Sequence, residues 1–524
     1  PLLEPHAIAE LLDAAEASIL VTLAPTPGTD LFAKVSQILP TLTNLRHLVL
    51  VDMCNHVRGS RQQAAKDLQQ LEILRVCGAG GLESKMPAQI QLHDFTTAIC
   101  QQPNDRLVSE RDFLASDYSS FFCTGGTTGT PKIAMRTHGN EVANAWSAAQ
   151  FLGTNSAAPN AVFCGLPLFH VNAVLVTGLL PFSTGGQVIL GTPQGYRGEG
   201  VVSRFWEMVE FHRIQSFSGV PTLYANLMQI PNAGWDISSL DYGLCGAAPM
   251  PVELFRQFQQ ATGVRILEGY GLTEGTCVSS VNPLQGAQQP GSIGLRIPGQ
   301  QMKTVLLDEQ QNYLRDCLPN EVGALVICGP NVFSGYKIEQ QNQRLWLDCG
   351  DGQRWLNTGD LGRQDTQGYF WLTGRKKELI IRGGHNIDPA IIEEVLHQHP
   401  AVQVAAAVGR PDAKAGELPV AYVQLKTGQS ATAEELMDFA KTHIKERAAI
   451  PKQINIIQTI PLTAVGKIYK PALKHLEIHQ AISASLHDAG LTDANIVVFE
   501  DKTFGTCIDV HFSQTTSATL SFIQ

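Results

Sequence analysis

The chain has 524 residues with 38 Lys plus Arg against 48 Asp plus Glu, a formal net charge of −10. That balance repels nucleic-acid phosphates on average and argues against such a partner, but it leaves room for an anionic small ligand in a locally basic pocket. The length predicts two or more domains with sizeable cores, and 11 scattered cysteines without a C-x-x-C pair predict reduced thiols in a cytoplasmic setting.

The first residues, Pro1 to Asp13, include acids and no basic leader, and Pro1 is not a natural initiator, so the chain is expected to be trimmed at its front. Apolar residues at helical spacing (Ile8, Leu11, Leu12, Ala15) precede SILVTL at Ser18 to Leu23, and a second helical stretch leads to HLVLVD at His47 to Asp52. Such alternation reads as a parallel α/β unit, followed by a polar helix over Arg58 to Gln70. Phe121, Phe122 and Cys123 read as the end of a buried strand running into TGGTTGTPK, Thr124 to Lys132. Glycines there let backbone N–H groups approach a phosphate, threonine hydroxyls add donors and Lys132 adds a point charge. The commoner nucleotide loop, G-x-x-x-x-G-K-[ST], is not matched.

A helix is expected over Asn140 to Gln150. The uncharged run Ala161 to Phe182 is interrupted by Pro167, His170 and Pro181, which favours a buried strand, loop and core helix over a membrane span. A long helix is predicted around Gly200 to His212, then a strand and loop in QSFSGVPTL. DYGLCGAAPM and RILEGYGLTEGT each read as a strand ending in a small-residue turn, with Pro251 opening a helix. Three strand ends with glycine-rich loops predict one crevice at the carboxyl edge of a parallel sheet. From Gly291 the pattern changes to short alternating strands, a β-rich subdomain. GRKKELIIRGGHNIDP then opens an α+β pattern of hairpin, helix, strands over Val404 to Val408 and Pro419 to Leu425, helix Ala433 to Arg447 and strand Gln453 to Thr459. The last fifty residues, His475 to Gln524, read as a helix and a hairpin around Asp501 to Gly505, with six acids against one base, Lys502.

The ordered set TGGTTGTPK, GAAP, GYGLTE, NTGD, GRKKELIIRGGHNIDP and PLTAVGK resembles the AMP-forming adenylating superfamily, which includes acyl-CoA synthetases, luciferases and adenylation domains of peptide synthetases. The wording is most similar to the bacterial fatty acyl-CoA synthetases, and the resemblance reaches about Lys474. It implies an α/β fold: a large domain over 1–374, of parallel α/β sheets plus the β-rich subdomain and lacking its usual first part. A hinge at 375–378, a smaller mobile α+β domain over 379–474 and an extension over 475–524 complete it. The implied activity joins a carboxylic acid, in this branch a fatty acid, to coenzyme A with ATP and Mg2+, through acyl-AMP. Delivery of acyl-AMP to a carrier protein or other acceptor is the alternative, and a non-catalytic acyl-nucleotide binder is a remote one. Oligomeric state is left open, a dimer included.

The same resemblance implies residue roles. Thr124, Gly126, Thr127, Thr128, Gly129 and Lys132 would hold the leaving phosphates, although relatives usually have Ser at Gly125 and Gly at Ile133. Gly246 and Ala247 would form the turn along which adenine stacks, with Tyr270 packed on the base. Thr273 would face phosphate oxygens and Glu274 would bind magnesium, which offsets the repulsion between a carboxylate and polyanionic ATP. Asp360, in the turn of NTGD, would take the ribose hydroxyls, with Arg375 joining it at the ribose or phosphate; Lys377 would be the hinge. Lys467 would bridge the carboxylate and the α-phosphate. Gly383 and Gly384 would enter the site after rotation and shape the thiol tunnel. His170 would flank the acyl pocket and gate the thiol, beside Asn172 where many relatives have Gly, and Val220, Pro221 and Tyr224 would line the acyl cavity.

Overall fold

The structure, a computed structural model, describes residues 3–124, 132–153, 160–375, 378–383, 385–491, 494–501 and 505–512. These form two compact units: residues 3–114 with 123–124 and 132–133, and the remaining described residues from Ala115 onward.

In the first unit, strands Ile19–Leu23, His47–Val51 and Gln91–Asp94 lie side by side and parallel, with Ile19 opposite His47 and His47 opposite Gln91. Helix Leu31–Ile38 buries Phe32, Val35 and Ile38, one face at helical spacing, against Leu39, Leu48 and Leu50. The α/β alternation expected here is observed.

A seven-stranded sheet dominates the second unit. Its parallel part runs Arg265–Gly271, Tyr242–Cys245, Ser216–Gly219, Ala161–Cys164 and Gln187–Leu190; Val278–Val281 and Leu295–Arg296 extend the other edge antiparallel. Every residue of Ala161–Cys164 and Ser216–Gly219 is buried, as in a parallel sheet covered on both faces. The apolar run after Ala161 becomes this strand, a loop, a π-helical stretch Asn172–Leu179 and the short helix Leu180–Ser183. Among the described residues no helix is long and apolar enough to cross a membrane.

Two expectations need correction. The strand before the glycine loop, Tyr118–Thr124, is not buried: Phe121 is 46% exposed and Cys123 exposed, because the strand forms the edge of a separate small sheet with Lys132–Thr137 and Gly335–Tyr336. Only two of the three expected strand ends therefore share the edge of the parallel sheet. The predicted long helix at Gly200 is shorter, Phe205–His212, and its C-cap Arg213 is left-handed.

The β-rich subdomain is a six-stranded sheet with Gln301–Leu307, Gly323–Cys328 and Arg354–Gln364 at its centre. The small C-terminal domain has hairpin Ile380–Arg382/His385–Ile387, helix Pro389–His397, long paired strands Val402–Asp412 and Gly416–Leu425, helix Ala433–His443 and strand Gln453–Ile456. Helix Lys470–Asp488 runs across the expected limit at 474 and buries Leu473 and Glu477; the antiparallel hairpin Ala494–Asp501/Gly505–Phe512 follows it.

Candidate active site

At the carboxyl edge of the parallel sheet, strand Tyr242–Cys245 ends in Gly246-Ala247. Ala247 adopts φ +72°, a left-handed conformation that a residue with a Cβ enters at a cost. A Cβ on Gly246 would lie 3.2 Å from the Gly269 carbonyl, so the turn runs close against the next strand. That strand carries Tyr270 and ends at Gly271, where a Cβ would fall 1.6 Å from the Cys277 carbonyl; no other residue fits there. The GAAP and GYG turns thus adjoin at the sheet edge, as expected.

Tyr270 is buried, and its hydroxyl donates to Oδ2 of buried Asp360 at 2.6 Å. Asp360 lies within strand Arg354–Gln364, not in a simple turn, at an irregularity next to Gly359 (φ +77°). The backbone of Asp360 pairs directly with that of Arg375 on the neighbouring strand. The residue expected at the ribose and the one expected at the ribose or phosphate are therefore cross-strand partners.

Thr273 and Glu274 form a turn of 3-10 helix after Leu272. Glu274 accepts from the hydroxyl of Tyr336, and its carbonyl accepts from Phe333 N at 2.9 Å. Tyr336 in turn pairs with Ala134, on the strand that leaves the glycine loop. Sequence reasoning missed Tyr336; the signal was an aromatic residue directly after Gly335, which has φ +132°. Arg136 was missed too. Its side chain is fully buried, donates to the Thr276 carbonyl at 2.7 Å, pairs with Glu141 at 3.0 Å and lies 4.0 Å over the Phe122 ring. Burial lowers its pKa despite Glu141, and the alternation of KIAMRT could have marked an inward arginine.

His170 is partly buried after Pro167, and its Nδ1 accepts from Asn172 N at 3.3 Å. That bond leaves the proton of the neutral ring on Nε2. Burial first, and then the ammonium of Lys467, push the imidazole down to about 4. Lys467 sits in a loop pinned by Thr463 N to the Lys467 carbonyl (2.7 Å) and by Lys467 N to Thr463 Oγ1 (3.1 Å). Thr222 Oγ1 in the large domain donates to the Gly466 carbonyl at 2.6 Å, and a Cβ on Gly466 would meet Val220 at 3.2 Å. The structure brings His170, Val220, Thr222 and Lys467 together from two domains. Tyr224 is instead a core residue: fully buried against Phe217 and Phe258, its hydroxyl donates to the Leu244 carbonyl.

Thr124 ends one strand and Lys132 begins the next, with Thr124 Oγ1 at 3.5 Å from the Lys132 carbonyl. Gly126, Thr127, Thr128 and Gly129, together with Lys377, Gly384 and the Arg375 side chain, lie outside the described residues. Gly383 is exposed at the tip of the hairpin, with φ +56° and open space where a Cβ would stand.

Residues 1–337 match the family described as AMP-binding enzyme, and residues 391–467 match the AMP-binding enzyme C-terminal domain. The chain belongs to the AMP-binding enzyme family. It is 43% identical over 432 residues to a marinolic acid–CoA ligase of Pseudoalteromonas sp., covering 80% of this chain and 64% of that enzyme. It is 33% identical over 383 residues to a long-chain-fatty-acid–CoA ligase of Bacillus subtilis, covering 73% of this chain and 66% of that one. The matched region thus spans just under two thirds of these relatives. Among solved structures it resembles an anthranilate CoA ligase in complex with anthranoyl-AMP (TM-score 0.70, 23% identity, 92% of this chain and 82% of that one). It also resembles the o-succinylbenzoate CoA synthetase of Bacillus subtilis with its acyl-adenylate (TM-score 0.62, 25% identity, 90% and 91%). A large N-terminal and a small C-terminal domain are common to this fold.

Proposed function

We propose that the chain is an AMP-forming acyl-CoA synthetase acting on a carboxylic acid, in the fatty-acid branch, in a cytoplasmic setting. In the first step a carboxylate oxygen bonds to the α-phosphorus of ATP while the bond from that phosphorus to pyrophosphate breaks. In the second, the CoA thiol loses its proton and its sulfur bonds to the acyl carbon as AMP leaves. What supports the reading is the docking of the Lys467 loop on the large domain through the Thr222 to Gly466 bond, within electrostatic reach of His170. An ammonium held there accompanies the negative charge that gathers between carboxylate and α-phosphate. His170, kept neutral, adds no second charge to repel Lys467.

Glu274 suits magnesium carried by the nucleotide. That ion is usually held by one or two carboxylates and by phosphate oxygens, and among the described residues no cluster of three or more candidate ligands occurs. The metal would neutralise phosphate charge before the acid attacks. Asp360 and Tyr270 would fix the ribose and the base, and the loop over 124–132 the leaving phosphates. The small domain then swings about 375–378 and Gly383-Gly384 replaces Lys467.

The test is acid-dependent exchange of pyrophosphate into ATP over a panel from acetate to long-chain acids, with and without CoA. Lys467→Ala should abolish exchange and largely retain thioester formation from supplied acyl-AMP. Equal loss of both half-reactions would overturn the swing, and product independent of CoA would favour transfer of acyl-AMP to another acceptor.

A further inference from the structure

Helix Val252–Thr262 begins without a cap of its own. Its N-cap residue is Pro251, which has no side-chain donor or acceptor, so the first N–H of the helix has no local partner. The partner comes from the other domain. Both carboxylate oxygens of Glu394, on helix Pro389–His397 of the small domain, accept from Val252 N at 3.3 and 3.2 Å.

This contact belongs to a row. Gln403 Nε2 donates to Asn226 Oδ1 at 3.0 Å, and Thr222 Oγ1 donates to the Gly466 carbonyl, each joining the small domain to the large one. The residue beside Glu394 faces inward instead: Glu393 pairs with Lys470 at 2.8 Å and accepts from Ala407 N at 2.8 Å. Lys470 lies three residues after Lys467. Adjacent carboxylates on one helix thus hold the base of the lysine loop on one side and the large domain on the other. Burial raises the Glu394 carboxyl to about 7 although the Val252 N–H opposes it, so the group is set well into the interface.

We propose that Glu394 is a positioning residue for the first half-reaction, lending the large-domain helix its missing cap and thereby holding Lys467 at the adenylating centre. The proposal rests on the reading of the chain as a two-step ligase. The swing to the second step must break this cap and return both groups to water, so Glu394 biases the domain equilibrium without touching substrate.

The pose can be read without catalysis. In full-length Asn226→Cys/Gln403→Cys protein, a short bis-maleimide should form a 226–403 cross-linked peptide at a rate set by the fraction of time spent in this pose. Added to it, Glu394→Ala should lower the ratio of this pose to all others about fivefold, the worth of an ordinary helix cap, and slow cross-linking by up to that factor, while Glu394→Gln, which keeps an acceptor oxygen, should restore it. Val252→Pro removes the donor from the other side. Pro is tolerated at a first helical position, and Pro251 already has the extended conformation (φ −57°, ψ 127°) that a following proline demands. It should match Glu394→Ala, and the two together should be no slower than either alone.

In otherwise native protein, pyrophosphate exchange should fall by the same factor in Glu394→Ala and Val252→Pro, with CoA transfer from supplied acyl-AMP unchanged. Unaltered cross-linking in both variants, or an additive double variant, would overturn the proposal. Absence of acid-dependent exchange in the unmutated chain would overturn the functional reading instead, and the cross-linking rates would still decide the cap.

Discussion

The hydroxyl of Tyr270 reaches across from the parallel sheet to Asp360 in the β-rich subdomain, 2.6 Å away and buried with it. The carboxylate expected to bind a ribose is therefore oriented by the ring expected to pack on the base. Tyr270→Phe keeps the ring and removes one donor from a buried carboxylate, at a cost of about 1–3 kcal/mol. The expected result is a higher KM for ATP with little change for the acid, together with a lower unfolding midpoint. An unchanged KM for ATP would separate Asp360 from the nucleotide.

His170 offers a spectroscopic check on the domain arrangement. Its folded pKa of about 4 lies below the ordinary 6.5, so the folded state prefers the neutral ring. The associated stability is fully present above pH 6.5 and is lost as pH falls from there towards 4. Lys467→Met removes one of the two causes, and the imidazole should titrate at higher pH while staying below 6.5, because burial remains. Imidazole C–H resonances followed across pH would measure it; a titration identical in both proteins would place Lys467 away from His170.

What could be read beforehand follows from how local each signal is. The strand Ala161–Cys164 is written in a short apolar run, and the strand Ser216–Gly219 and the turns at Gly246 and Gly271 are marked by the small residues at their ends. The partnership of Tyr336 with Glu274 joins residues 62 positions apart, and that of Arg136 with Thr276 spans 140. Neither pair leaves a local pattern, because the topology alone sets them side by side. Phe121 misled for a related reason: strand-forming aromatics look alike on a covered strand and on the edge of a small sheet.

The helix crossing residue 474 makes a prediction about the tail. Glu477 is fully buried, and its two oxygens take the Arg410 guanidinium and the Tyr422 hydroxyl, both from the long paired strands of the small domain. Without Glu477 the half-buried Arg410 guanidinium loses its counter-charge and the buried Tyr422 hydroxyl its acceptor, so Glu477→Ala should cost about 1–3 kcal/mol. Urea unfolding of the small domain would read it, and a chain cut after Lys474 should lose at least as much. A stable protein cut there would make residues 475–488 an appendage.

Arg136 gives a parallel case inside the large domain. Its guanidinium joins the strand leaving the glycine loop to the Thr276 carbonyl, and Thr276 itself is held at φ +69° with its hydroxyl on the Asn331 carbonyl at 2.6 Å. Arg136→Met preserves packing on Phe122 but takes the counter-charge from the Glu141 carboxylate, which keeps the Ser120 hydroxyl, and the donor from a buried carbonyl, a loss of about 3 kcal/mol. Because Thr276 closes the turn that presents Thr273 and Glu274, the ATP-dependent step should suffer beyond the loss of folded protein. Pyrophosphate exchange per folded molecule, measured well below the unfolding midpoint, is expected to drop. Retained exchange at lowered stability would confine Arg136 to packing.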